Sequence, residues 1–258
     1  MIPKKLFLFW SGHTMSYLRY LTFVTARHFH PDWEINFYVT DDFTTMKWCH
    51  EAQDFQNEDR DNYLEQAKTL CDHVRPYKHH EDKAPNFQSD FFRWHVMEEY
   101  GGWYLDTDQI ILKPFDDLCS YQFVYSFYEA NGPVGVLGAE PKLRICNYVR
   151  ETMNKRYKPS NYNSIGPQMW INVMKEIGKS KWFGDINSLN SKHMFYPVPY
   201  SHGVHKIYDG SFEIPKSSYA LHWFGGHPKS QKFNNKYTKE FMMASNDTIS
   251  RFVRTLSL

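Results

Sequence analysis

The chain has 258 residues, 41% hydrophobic and 18% aromatic, with 30 lysines and arginines against 29 aspartates and glutamates for a net charge of +1. That length suits one large domain with a substantial core. The balanced charge excludes a global basic field, so no nucleic-acid partner is expected, and a mean hydropathy of −0.64 with 23% charged residues excludes a disordered chain.

Residues 6–10 are apolar throughout after Pro3 and predict a buried first strand. Residues 16–29 carry Leu18, Leu21, Phe23, Val24 and Ala26 and predict a helix that stops before Pro31. Ile35, Phe37 and Val39 alternate through a second strand at 34–40, with Asp41-Asp42 as a polar loop. Strand, helix, strand in that order predicts an α/β fold with parallel strands. The polar stretch 51–86 predicts one or two surface helices and a loop. Asn86 is then expected to cap a helix reaching Tyr100, which Gly101-Gly102 terminates. Segments 103–105 and 109–112 read as extended on either side of Asp106-Thr107-Asp108. Strands follow at 123–127 and 134–139, a helix at 143–156, and Gly166-Pro167 opens a helix through Glu176. Beyond 178 the pattern is irregular until about 237, where a final helix is expected to run to Val253. No internal repeat or linker interrupts the chain.

Cys49, Cys71, Cys119 and Cys146 lie far apart, with no C-x-x-C pair to suggest zinc or redox chemistry. They read as small buried hydrophobes in a reducing compartment, with two disulfides left open as an alternative. The apolar run at 6–10 is shorter than the roughly 7–15 residues of a secretory core or the about 20 of a membrane helix. The expectation is a soluble, cytoplasmic protein without an intrinsic membrane span.

The centre of the chain carries the chemistry. In an extended segment, residues two apart face the same side, so Asp106 and Asp108 can converge on one cation. Carboxylate oxygens suit hard ions such as Mg²⁺ or Mn²⁺, which complete their shells with phosphates and water. Asp90 and Arg93 are spaced i,i+3 and share a helix face. This spacing fits either a surface ion pair or a carboxylate and guanidinium presented to hydroxyl groups at a pocket edge.

Three runs together resemble a known family: the opening Ile2-Pro3-Lys4…Trp10-Ser11-Gly12, then Ser89-Asp90-Phe91-Phe92-Arg93, then Tyr100-Gly101-Gly102-Trp103-Tyr104-Leu105-Asp106-Thr107-Asp108. They look like glycosyltransferase family 32 and, similarly, the glucosyltransferase domains of large clostridial toxins. The resemblance covers residues 2–42 and 86–114. It implies a GT-A fold, Rossmann-like with a mostly parallel central sheet flanked by helices and a helical or irregular C-terminal extension. It also implies a single domain over 1–258, with 1–114 binding the nucleotide-sugar and 115–258 forming the acceptor side.

The same resemblance implies the site. Trp10 would stack on the nucleotide base with Phe9 and Ser11 beside it; base–aromatic stacking is worth about 1–3 kcal/mol. Ser89, Asp90 and Arg93 would meet the donor sugar. Asp106 would face the ribose or a metal-bound water, Thr107 would lie beside it, and Asp108 would ligate the metal and so the diphosphate. The segment from Ala220 to Lys229 resembles the family's late His-Trp segment, which makes His222 the third metal ligand, with His227 as competitor. Lys229 would neutralise a phosphate. Gln168, after Gly166-Pro167, would lie near the reacting sugar face. The catalytic set is then Asp90, Arg93, Asp108 and Gln168, and the metal set Asp106, Asp108 and His222.

The implied reaction moves a sugar from a UDP-sugar, or a GDP-sugar, to a hydroxyl of a glycan or glycoconjugate. Mn²⁺ or Mg²⁺ would stabilise the leaving diphosphate. Retention by front-face attack is the expectation, since no nucleophile stands out. The stretch 126–140, with Asn131-Gly132-Pro133, departs from the family and leaves the sugar open. An inactive nucleotide-sugar-binding module and a sugar-phosphate nucleotidyltransferase are the alternatives, the latter disfavoured by the lack of a glycine run after the first strand. Paired aspartates of a glycoside hydrolase would not sit two residues apart.

Overall fold

The computed structural model describes residues 1–40, 61–127, 131–191 and 193–256. The expected loop at Asp41-Asp42, the first ten residues of the polar stretch from 51, and Cys49 lie outside the described residues.

Among the described residues the fold is built on a seven-stranded sheet. Strand β1 (Lys5–Ser11) pairs in parallel with β2 (Glu34–Thr40) on one side and with β4 (Gly102–Leu105) on the other. β3 (His73–Pro76) extends the β2 side in parallel. Beyond β4 comes β7 (Val136–Ala139), antiparallel to it, then β6 (Phe123–Tyr125) and β8 (Ser188–Asn190). One reversed strand in an otherwise parallel sheet agrees with the expected layout.

β1 shows why its run is apolar without a break. Phe7 and Phe9 enter a core shared with Phe87, Phe92 and Tyr104. Leu6, Leu8 and Trp10 enter a second core with Phe23, Phe37 and Trp103. A strand covered on both faces cannot alternate with polar residues. The second face is covered by α1 (Tyr17–Phe29), whose N-cap Ser16 accepts the Arg19 N–H through its hydroxyl. The first face is covered by α3 (Pro85–Glu99), while α2 (Leu64–Thr69) is a short helix between β2 and β3. Among the described residues Cys71, Cys119 and Cys146 are free thiols, the last two buried, so they pack rather than bridge. No helix among the described residues is long and apolar enough to cross a membrane.

Several boundaries differ from expectation. α3 begins at Pro85, with Ala84 at the cap position and no side-chain cap. Proline has its φ set for the first helical turn and needs no donor there, so Asn86 lies inside the helix and its amide donates to the Tyr162 carbonyl at 3.2 Å. β3 was hidden within a polar stretch because it is an exposed edge strand with little apolar signal. The single final helix is two, α9 (Lys239–Ala244) and α10 (Thr248–Arg254), broken where Asp247 accepts the Ser250 N–H at 2.9 Å. A capping aspartate at that point starts a new helix.

The region read as irregular contains α6 (Lys181–Gly184), α7 (Val204–Tyr208) and α8 (Pro228–Asn234), after α4 (Arg144–Arg156) and α5 (Pro167–Ile177). It also contains β9 (Ala220–His222), antiparallel to β5 (Gln109–Ile111) in a separate two-stranded sheet. That pairing brings residues 220–222 beside the segment that follows the aspartates. A third core, with Leu18, Leu21, Ile110, Leu221 and Trp223, packs beneath it.

The Gly101-Gly102 pair ends α3 as expected, and the reason is steric as well as conformational. Both residues have positive φ (64° and 93°), and a Cβ on Gly101 would fall 2.5 Å from the Pro141 nitrogen, one on Gly102 2.7 Å from the Lys5 carbonyl.

At the end of α1, His30 is fully buried. Its Nδ1 lies 3.1 Å from the Ala26 carbonyl, and its Nε2 accepts the Phe115 N–H at 3.0 Å. Burial pulls its pKa down to about 4, against the smaller upward effect of the Ala26 hydrogen bond. The folded imidazole is thus neutral where the unfolded one, at about 6.5, takes a proton. Its contribution is intact above pH 6.5 and is lost as pH falls toward 4, a loss on the order of 3 kcal/mol. The melting-temperature advantage of wild type over His30→Gln should therefore shrink between pH 7 and pH 4.5. A pH-independent difference would refute this.

Candidate functional site

A cavity of about 640 Å³ opens at the C-terminal ends of β1 and β4, where ligands bind in parallel sheets because helix N-termini and loops converge there. Its wall includes Phe9, Trp10 and Ser11 from the end of β1 and Ser89, Asp90 and Arg93 from α3. Asp106, Thr107, Asp108, Gln168 and His222 lie on the same wall, so of the expected set Lys229 alone is missing from it.

Asp106 and Asp108 do not sit on one extended strand. They flank the turn from β4 into β5, and they converge because separate contacts hold each carboxylate. Tyr104 Oη donates to Asp106 Oδ1 at 2.6 Å, and the Asp106 N–H donates to the Gly135 carbonyl at 2.7 Å. A Cβ at Gly135 would fall 2.4 Å from Asp106 Oδ2, so a side chain at this position would displace the Asp106 carboxylate. Asp108 Oδ2 accepts the Gly225 N–H at 2.7 Å, and Asp108 Oδ1 lies 3.1 Å from His222 Nε2. Register places His222 opposite Gln109, the residue after Asp108.

Burial alone would raise the Asp108 carboxyl. The facing His222, Arg19 and the Gly225 amide outweigh it and hold Asp108 well below the usual carboxylate range. His222 is itself fixed: its Nδ1 accepts the Phe224 N–H at 3.2 Å, with Phe224 at a positive φ of 55°. Such a backbone conformation in a bulky residue is strained and persists where the surroundings impose it.

Ligand atoms of Asp106, Asp108 and His222 all lie within 4.8 Å of one another. Two carboxylate oxygens and an imidazole nitrogen fit a hard or borderline divalent ion such as Mg²⁺ or Mn²⁺ with open positions for phosphate oxygens. His227 is outside this group: it caps α8, its Nδ1 accepting the Lys229 N–H at 3.2 Å.

The sugar-facing side is a buried charge network. Arg93 Nη2 lies 3.0 Å from Asp90 Oδ1 and 3.4 Å from Asp106 Oδ1, while Nη1 donates to the Val134 carbonyl at 2.7 Å. Burial pushes the Asp90 carboxyl up to about 7, Arg93 pulling it down and Asp106 adding to the rise. Burial also disfavours the Arg93 charge, but Asp106, Tyr104 and Asp90 around it more than compensate.

Trp10 is 2% exposed, and its Nε1 donates to the Thr14 carbonyl at 3.1 Å. It shares the wall with Arg19, whose guanidinium sits over Trp10 at 4.9 Å and over Trp223 at 5.3 Å. Lys229 is not brought to this cavity. It lines a separate depression with His205, Asp209 and Lys232.

Sequence reasoning missed Arg19, Tyr104 and Tyr196. Arg19 carried a signal, a cation on the buried face of α1 beside Leu18 and Leu21. Tyr196 carried none. Its hydroxyl accepts the Val136 N–H at 2.9 Å and its ring lies 5.3 Å from that of His222, a relation created only by tertiary packing.

Residues 19–124 match the family described as a glycosyltransferase sugar-binding region containing a DXD motif. Alpha-1,4-N-acetylglucosaminyltransferase of Homo sapiens is 27% identical over 148 residues, covering 53% of this chain and 42% of the relative. Lactosylceramide 4-alpha-galactosyltransferase of Mus musculus is 28% identical over 171 residues, 60% of this chain and 45% of the relative. The chain thus spans less than half the length of these curated relatives. The glycosyltransferase GlyE of Streptococcus pneumoniae superposes with a TM-score of 0.51 at 12% identity, over 100% of this chain and 61% of that one. The fold is that of GT-A glycosyltransferases, and the relatives matched in sequence are glycosyltransferases.

Proposed function

We propose that the chain is a metal-dependent glycosyltransferase that moves a sugar from a UDP-sugar to a hydroxyl of a glycan or glycoconjugate, with retention of configuration. The observation that carries this reading is the Asp106–Asp108–His222 cluster in the cavity, adjacent to the buried Asp90–Arg93 pair.

Asp106, Asp108 and His222 would hold Mn²⁺ or Mg²⁺, which supplies Lewis-acid stabilisation of the leaving diphosphate. Arg93 holds Asp106 and Asp90 in fixed positions, leaving Asp90, whose carboxyl burial pushes up to about 7, able to donate to or accept from a sugar hydroxyl. Phe9 and Trp10, 6% and 2% exposed, bring the end of β1 to the wall where a base would lie, but Arg19 already sits over the Trp10 ring, so the expected open-faced stacking on Trp10 is not part of this reading. Gln168, exposed on α5 with its amide 3.2 Å from Asn172 Oδ1, faces the same cavity and would lie on the reacting side of the sugar. The two relatives are named for alpha-1,4-N-acetylglucosaminyl and 4-alpha-galactosyl transfer, the second to lactosylceramide. Those names support an α product, hence retention from an α-linked donor, and a glycoconjugate acceptor.

The test is release of nucleoside diphosphate from a panel of UDP- and GDP-sugars, with Mn²⁺ and with excess chelator. The expected result is slow hydrolysis of one UDP-sugar that Mn²⁺ switches on. Turnover that persists undiminished in chelator rejects the metal role, and no turnover or binding of any sugar nucleotide rejects the reading.

A further inference from the structure

Helix α1 carries a polar stripe on a face where burial calls for apolar residues. Arg19, Thr22 and Thr25 follow at i, i+3 and i+6 and so point the same way, and they are 3%, 0% and 0% exposed. All three reach the segment that starts in the middle of the aspartate turn. Arg19 Nη1 donates to Thr107 Oγ1 at 3.2 Å. Thr22 Oγ1 donates to the Thr107 carbonyl at 2.8 Å, and Thr25 Oγ1 accepts the Ile111 N–H at 3.1 Å.

The Thr22 contact has a specific geometric effect. The Thr107 carbonyl and the Asp108 N–H belong to one planar peptide unit. Fixing that carbonyl fixes the plane from which the Asp108 side chain departs. The next peptide unit is fixed from the other side, where the Asp108 carbonyl accepts the Trp223 N–H at 3.0 Å. Asp108 is therefore clamped between helix α1 and the segment after β9. β5 pairs with β9 along one edge, and the α1 hydroxyls serve backbone groups that the pairing leaves over.

We propose that this stripe is the positioning device of the cation-binding turn, with Thr22 the positioning residue that aims the Asp108 carboxylate through the 107–108 peptide. The proposal rests on reading Asp106, Asp108 and His222 as a cation site. Partners that orient a metal ligand without touching the metal typically matter about 10–100-fold in affinity.

The experiment is a titration with manganese chloride in the presence of uridine diphosphate, reading free Mn²⁺ by electron paramagnetic resonance, alongside melting temperatures. It compares wild type with Thr22→Val, Thr22→Ser and Thr25→Val. Thr22→Val should weaken Mn²⁺ about tenfold, and Thr22→Ser, which keeps the hydroxyl, should stay within about twofold of wild type. Thr25→Val removes the acceptor of the Ile111 N–H and the donor to the Leu21 carbonyl, both farther from Asp108. It should lower the melting temperature comparably while leaving Mn²⁺ affinity within about twofold. Equal weakening by both valine variants, unchanged affinity in Thr22→Val, or failure of serine to restore it overturns the proposal alone. Absence of Mn²⁺ binding in wild type overturns the cation-site reading, and this proposal with it. If Thr22→Val does not fold, Thr22→Cys, similar in size and a weaker donor, takes its place in the same comparison.

Discussion

Asp108→Asn is expected to lower Mn²⁺-dependent hydrolysis of the sugar nucleotide by at least about a thousandfold, equivalent to about 4 kcal/mol of transition-state stabilisation. The side chain keeps its shape, and its remaining carbonyl oxygen can still accept the Gly225 N–H, as Asp108 Oδ2 does at 2.7 Å. What disappears is the negative charge that His222, Arg19 and Gly225 together hold in place. An amide is a poor ligand for a hard divalent ion beside a dianionic phosphate, so the loss falls on chemistry more than on folding. Turnover against Mn²⁺ concentration, with far-ultraviolet circular dichroism as the folding check, measures it. Residual Mn²⁺-activated turnover within about tenfold of wild type would contradict the assignment, since it leaves under about 1.4 kcal/mol for the carboxylate.

Arg93→Met should damage both stability and activity. The guanidinium is 4% exposed and is the shared partner of Asp90, Asp106, Ser89 Oγ at 3.2 Å and the Val134 carbonyl. Removing one partner from a buried charge pair typically costs about 3–5 kcal/mol, because the carboxylates left behind keep their desolvation penalty. For a chain of this size that corresponds to a fall in melting temperature of about 10 °C. The variant should be relatively less unstable at pH 5 than at pH 8. Without the arginine, the Asp90 carboxyl, already pushed up to about 7 by burial, moves higher. A group with a raised folded pKa contributes stability that is present at low pH and lost as pH rises. Arg93→Lys should recover part of the stability but less of the turnover, since an ammonium cannot reach two carboxylates and a carbonyl with one planar fork. A melting temperature within about 2 °C of wild type for Arg93→Met would mean that the network contributes little.

The α/β character was legible because it is local. The unbroken apolar run of β1, the alternation in β2 and the helical spacing of α1 each report burial of a neighbouring residue set. Gly101-Gly102 stood out because positive φ admits few other residues. The aspartate pair and the Asp90–Arg93 spacing were visible as chemistry, and both reach the cavity. The reason first given for convergence of the aspartates was different from the one observed. They meet across a turn, held by Tyr104, Gly135 and Gly225, and not by alternation along a strand.

Lys229 shows the limit of reading position from sequence. Seven residues after His222, it turns onto α8 and lines another depression, while Arg19 from the first helix joins Arg93 on the cavity wall. β9 was missed because three residues give no periodic signal, yet its pairing with β5 is what sets His222 against Asp108. By itself the sequence determined the strand and helix types, the glycine break and the presence of carboxylates and a guanidinium at useful spacing, since these depend on residues within a few positions of one another. Only the tertiary structure decided which histidine joins the aspartates, which cation joins Arg93 on the cavity wall, and which hydroxyls hold the turn. Those contacts join parts of the chain more than eighty residues apart, and no local pattern encodes a partner at that distance.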